Sequence, residues 1–162
     1  MSFEELQAIE LLGRVRYGRL ATSMRALPFL SVARHVVIDG RVVLRMHSGF
    51  GYHNACDGTV VAYGADNFST AGPGACGSGA CGSGGDGSGG DGSGGDGDLW
   101  AVQFTGTAEI VHPTPGQREL FGDGPALVNG EPFAPAYLRL EPHFASVHTL
   151  DFDASQPIGN TA

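Results

Sequence analysis

The residues of this chain best suited to chemistry are gathered between positions 45 and 51, where Arg45 is followed by Ser48-Gly49-Phe50-Gly51. A guanidinium offers a planar fork of donors, a serine hydroxyl adds one more, and glycines let backbone N–H groups come close to a tetrahedral anion. The same run also reads as a solvated strand end with a glycine turn. A second arginine, Arg34, stands inside the apolar run FLSVARHVVI at 29–38. A charge in such a run needs a partner, which a bound anion or an acid such as Asp66 would supply, unless the side chain points to solvent on the alternating face of a strand. The histidines at 35, 47, 53, 112, 143 and 148 show neither H-x-x-x-H nor H-E-x-x-H spacing, so no metal site is expected. No pairing of a nucleophile with a base is visible.

The charge balance limits the partners. Nine basic against seventeen acidic residues give a net charge of −8, which disfavours a phosphate backbone and so predicts no nucleic-acid partner. No apolar run reaches the roughly 18 residues of a membrane span, and the N-terminus MSFEELQAIELLG lacks the basic start of a secretory signal. Cys56, Cys76 and Cys81 are odd in number, and two of them lie in a glycine-rich tract. That is not a disulfide framework, and it points to a reducing, cytoplasmic setting. Pairing or metal binding by Cys76 and Cys81 is the alternative to two small residues in a loop.

The elements that must position these residues are mostly strands. Ser2 and Glu5 form a capping-box pattern ahead of Phe3, Leu6, Ile9 and Leu12, predicting a helix over 3–12 that buries this row and stops at Gly13. Strands are expected at 17–24, 29–38, 41–46, 59–65, 99–111 and 136–150. Asp39-Gly40 should turn the second into the third, Gly106 is a candidate bulge, and Pro142 should break the last. Thr114-Pro115 opens a short helix to about Phe121, and Asn129-Gly130 marks a turn. Consecutive strands without long intervening helices argue for a mainly β fold, a closed or partly closed barrel, over a doubly wound parallel sheet.

Between the fourth and fifth strands, residues 72–98 contain three copies of GSGGD. Calcium-binding glycine–aspartate repeats need a bulky apolar residue in each turn, and this tract has none. The plainer reading is a flexible insertion that a barrel tolerates at little entropic cost. One domain over 1–152, interrupted at 72–98 and ending in a frayed tail at 153–162, is the expected organisation.

Five stretches taken together resemble the flavin-binding split-barrel family of pyridoxamine 5′-phosphate oxidase-like proteins. They are GRLATS at 18–23, LPFLSVARHVVIDG from 27, VVLRMHSGFGYHNACDGTVVAYGADNF at 42–68, LWAVQFTGTAEIV at 99–111 and YLRLEPHFASVHTLDF at 137–152. The resemblance implies a split β-barrel and a homodimer with FMN at the subunit interface. It also implies a small-molecule substrate that the flavin oxidises or reduces; the cofactor carries the redox chemistry and the protein positions it. The flavin ring would lie along the first two strands, against Arg19, Leu20, Ala21, Thr22, Arg34 and His35. Its phosphate would sit at the exit of the third, near Arg45, Met46, Ser48, Gly49, Gly51 and His53. The alternatives are a non-catalytic carrier or sensor that holds a deazaflavin coenzyme or haem ligated by one of the histidines, and a barrel that has lost its cofactor. The chain departs from the family at one point. Many relatives carry a lysine where a gap-free comparison places Gly51, two residues before His53, and this chain has no lysine at all. Trp100 would fill the core or a dimer interface, or stack near the flavin.

Overall fold

A computed structural model describes residues 2–68 and 99–150. The tract at 72–98 with Cys76 and Cys81, and the tail at 153–162, lie outside the described residues, so the readings placed on them stay expectations.

The chain opens with helix α1 (Phe3–Leu12), followed by strands β1 (Tyr17–Met24), β2 (Leu27–Ile38) and β3 (Arg41–His47). A single-turn helix α2 (Tyr52–Cys56) leads to β4 (Thr59–Asp66), and β5 (Leu99–Ile110) follows. Helix α3 (Pro115–Glu119), a small hairpin of β6 (Leu127–Val128) and β7 (Glu131–Pro132), and the long β8 (Pro135–Leu150) complete it. Six strands close a barrel in the order β1-β2-β3-β8-β5-β4, every neighbouring pair antiparallel. No helix among the described residues is long and apolar enough to cross a membrane.

The period of two in the strands sorts side chains into a filled interior and an outer face. On β1, Gly18, Leu20 and Thr22 are buried inside while Tyr17, Arg19 and Ser23 face out. Leu44, Met46, Tyr63, Phe104, Leu138 and Leu140 fill the barrel, and Trp100 belongs to the same core. Alternation vanishes on β3, where Val42 to Met46 are all buried. The outward Arg45 is covered too, because Phe121 of the segment between β5 and β8 crosses over it.

Local chemistry accounts for most boundaries. Ser2 and Glu5 make both bonds of the capping box, and Thr114 and Gln117 repeat it at α3. Asp39 and Gly40 both adopt positive φ, as a tight hairpin turn requires. At Gly106 the β5–β8 register shifts, and an added Cβ would stand 2.0 Å from the Glu141 carbonyl oxygen. Only glycine permits that approach of two backbones. The slip falls beside Pro142, where an interruption is expected: Gly106 pairs with Pro142 and Thr105 with Phe144, so His143 is the extra residue, and β8 continues through it as one strand.

The expected buried row of α1 needs correction. Phe3 and Leu6 are 83% and 54% exposed, and the face that closes the barrel end carries Ala8, Leu11 and Leu12. The row Phe3, Leu6, Ile9, Leu12 advances by three residues each time, whereas a helical turn takes 3.6. The row therefore drifts around the helix, and only its end reaches the core.

Candidate functional site

The last residues of β3 position the site. Arg45 and His47 are two apart and so share the outward side of the strand, next to Arg34 on β2, whose direct cross-strand partner is Arg45. All three line a pocket of about 450 Å³, within the usual range for small-molecule sites. Aromatic rings build much of its wall: Tyr17 from β1, Phe50 from the turn after β3, Tyr52 at the start of α2, and Phe133 from the segment after β7. The rings form a continuous ladder. Phe133 stacks on His47, His47 meets Phe50 edge-on, and Phe50 stacks on Tyr52 with centroids 5.6 Å apart.

The arm from Phe121 to Ala134, which carries the β6–β7 hairpin, forms the far wall and is fastened at both ends to the exit of β3. At one end the Arg45 guanidinium donates to the carbonyls of Phe121, Gly122 and Asp123, at 3.4, 2.7 and 3.2 Å. It also lies over the rings of Phe121 and Phe133. At the other end the Ala134 N–H donates to His47 Nδ1 at 3.2 Å, and the Ser48 N–H donates to the Ala134 carbonyl at 2.8 Å. A backbone N–H can only donate, so the neutral His47 ring carries its proton on Nε2. That Nε2 is buried and has no hydrogen-bond partner.

The pocket is electrostatically unbalanced. Arg34 donates to the carbonyls of Arg16 and His35 at 3.0 and 2.6 Å. Burial, and then the nearby Arg16 charge, hold its pKa below the ordinary arginine value, with Arg45 adding to the effect. Among the described residues no carboxylate pairs with Arg34 or Arg45. The four ion pairs join Arg14 to Glu10, Arg19 to Asp66, Arg41 to Glu141 and Arg139 to Glu109. Like charges directly opposite on a sheet repel, and an anion between them removes the repulsion.

The sequence-derived residues separate into groups. Arg34, Arg45 and Met46 line the pocket. Ser48, Gly49 and Gly51 form the turn at its border, Gly51 with positive φ, and His53 follows in α2 with a buried, unpartnered Nδ1. Arg19 lines a second pocket of about 470 Å³, which adjoins the first through Tyr17 and Val32 and in which Asp66 pairs with Arg19 rather than Arg34. Ala21 lies on the outer face of β1, between Leu30 of β2 and Ala62 of β4. Leu20, Thr22 and His35 point into the barrel. His35 bonds Tyr63 Oη through Nδ1 at 2.6 Å and the Leu12 carbonyl through Nε2 at 2.9 Å, and burial lowers its pKa. Neutral and with both nitrogens engaged, it ties α1 to the barrel. Burial pushes the pKa of Tyr63 well up, so its hydroxyl keeps the proton it offers to Nδ1.

Several pocket residues had no site role in the sequence reading. His47 was legible by parity, because a residue two positions after an outward arginine faces the same way. Phe133 and the hairpin were not, since nothing local announces that a segment some eighty residues downstream folds back over β3.

No protein-family model matches the chain, and no curated protein matches it. Solved structures do. An FAD-binding protein from Mycobacterium smegmatis superposes with a TM-score of 0.58 at 16% identity, over 93% of this chain and 98% of its own. A candidate pyridoxamine 5′-phosphate oxidase from Corynebacterium glutamicum gives 0.58 at 19%, over 90% and 95%. A protein from Mycobacterium smegmatis that binds FAD and haem gives 0.60 at 12%, over 93% and 73%. At these identities the likeness is one of fold, and the fold is the split barrel of flavin-binding, pyridoxamine 5′-phosphate oxidase-like proteins.

Proposed function

We propose that this split barrel binds a flavin nucleotide, FMN, in the pocket beside the exit of β3 and serves as an oxidoreductase for a small molecule. The observation that carries the reading is the juxtaposition of Arg34 and Arg45, facing each other with no paired carboxylate among the described residues, in a wall that is largely aromatic and aliphatic. A planar ligand with an anionic tail satisfies both features: rings stack on rings, and phosphate answers the guanidinium pair. The donor set fits such a group. Arg34 and Arg45 supply charge, while the Ser48–Gly51 turn, whose Cβ-free Gly49 is exposed, gives backbone a close approach. Bound there, a flavin would supply hydride transfer. The chain would hold its phosphate with the arginines, shield one side with the arm, and leave the opposite side open to substrate.

A homodimer is part of the reading. Leu30, Val32, Val60 and Phe144 are each at least 60% exposed on outward strand positions. The register of β2, β1 and β4 sets Leu30, Val32 and Val60 on neighbouring strands beside Ala21 and Ala62, an apolar patch that borders both pockets through Val32, while Phe144 lies further around the barrel on β8. A second copy covering this face would bury it and close the site.

A second reading, a non-catalytic carrier of haem or a deazaflavin, is favoured by one observation: Arg45 is already engaged with three carbonyls, which weakens the phosphate clamp in a chain without lysine. The visible spectrum of the purified protein separates the two. Flavin bands, or micromolar binding of added FMN, support the first reading. A Soret band supports haem. Protein that stays colourless and does not quench added FMN fluorescence overturns the flavin reading.

A further inference from the structure

We propose that His47 is a hydrogen-bond donor held in reserve for an oxygen of the bound phosphate, a role that rests on the flavin reading above. Three observations meet at this side chain. The Ala134 N–H fixes the proton of the neutral ring on Nε2. That Nε2–H is buried without an acceptor, although nearly all buried donors in folded proteins have one. Finally, the ring cannot easily turn away, because it is stacked on Phe133 and held edge-on by Phe50.

An exposed glycine, Gly49, stands against Nε2. A Cβ built on Gly49 would stand 2.2 Å from Nε2 and 3.0 Å from each neighbouring ring carbon, so the nitrogen points straight at that position. The turn over it is short, closed by the Gly51 N–H donating to the Ser48 carbonyl at 2.9 Å. A small outward movement of Gly49 exposes the donor. Arg45 lies on the same strand face, two residues earlier, and lines the same pocket, so an oxygen arriving there completes a set of two cations and one neutral donor. A phosphate oxygen is the acceptor these neighbours select, because charge-assisted bonds are the strong ones.

Two substitutions separate this role from a structural one. Asparagine at 47 places an acceptor near the Nδ1 position and nothing at Nε2, so His47→Asn keeps the tie to Ala134 and removes the reserved donor. Glutamine does the reverse, so His47→Gln keeps a donor near Nε2 and gives up the tie. Dissociation constants of FMN and riboflavin are measured on the full chain by quenching of flavin fluorescence. His47→Asn removes the ring from the aromatic wall for both ligands, so it is expected to weaken FMN about tenfold more than it weakens riboflavin, the usual size of a charge-assisted bond. His47→Gln is expected to bind FMN within about threefold of wild type. If His47→Asn matches wild type, or His47→Gln loses as much as His47→Asn, the ring serves only to hold the arm and the proposal is overturned. Equal losses for riboflavin and FMN overturn the phosphate as acceptor. Wild type that binds neither compound removes the flavin reading itself, a result distinct from disagreement between variants of a protein that binds.

Discussion

Replacing each pocket arginine by methionine should weaken flavin alike and affect stability differently. Methionine keeps the apolar stem and removes charge and donors. At Arg45 the losses are one bond to the carbonyl of the buried Phe121, two bonds to the exposed Gly122 and Asp123, and placement over two rings. The two shorter bonds are part-buried and the buried one is long, so together they contribute about 1–1.5 kcal/mol, and the rings add about 1 kcal/mol. Arg45→Met should therefore cost about 2 kcal/mol. At Arg34 the two carbonyl bonds stabilise by about 1 kcal/mol, while desolvation and the solvent-screened repulsion from Arg16 and Arg45 offset much of it. Arg34→Met should be nearly neutral. Each variant should lose about 1.5–3 kcal/mol of FMN binding, roughly 10- to 150-fold. Urea unfolding of the cofactor-free protein gives the first pair of numbers and flavin titration the second. If Arg34→Met leaves FMN affinity within twofold, or costs as much stability as Arg45→Met, the cations are structural and the electrostatic reasoning is refuted.

Two further outcomes follow from features away from the pocket. Burial lowers the pKa of His35 in the folded state, so the unfolded chain takes up a proton first as pH falls through about 6.5. Stability is fully present above that pH and declines below it, by up to about 1.4 kcal/mol per pH unit for this proton. Urea midpoints that stay flat between pH 7.5 and 5.5 would show that the ring is not held neutral. The β1–β2 turn places Arg25 and Ala26 at φ of 53° and 65°, where a Cβ costs about 1 kcal/mol. Ala26→Gly should raise stability by about 0.5–1 kcal/mol, and a lower melting temperature would contradict the turn geometry.

Much of the fold was legible because local rules and tertiary demand agree. Asp39-Gly40, the Ser2–Glu5 capping box and the glycine opposite the register slip at Gly106 each satisfy a backbone requirement that only a few residues meet, and each stands where the sequence placed it. The Arg25-Ala26 turn offered no such signal, since neither residue favours positive φ. The two-residue strands β6 and β7 were visible only as the turn Asn129-Gly130 between them, being too short to show a period. Inward and outward positions on β1 follow from alternation, which by itself separates Arg19 from Leu20 and Thr22. Alternation also sets His35 apart from Arg34, but the apolar run around them hid which face was the core. The arm over β3 depends on contacts spanning some eighty residues, and no local pattern encodes them.

On the flavin reading, the chain's charge favours binding over encounter. With a net charge of −8, the molecule as a whole repels an approaching phosphate, yet Arg34 and Arg45 attract it once inside. The two effects differ in range. Whole-molecule repulsion acts over distances that salt screens beyond about 8–10 Å, whereas the guanidinium contacts are short and partly buried and are screened far less. Added salt should therefore speed FMN association while loosening the bound state only slightly. The expected net result is an affinity nearly independent of ionic strength between about 50 and 200 mM, unlike the steep loss of a surface built on exposed cations. Stopped-flow association rates that fall with salt would mean that long-range attraction dominates, and would place the phosphate on exposed arginines outside this pocket.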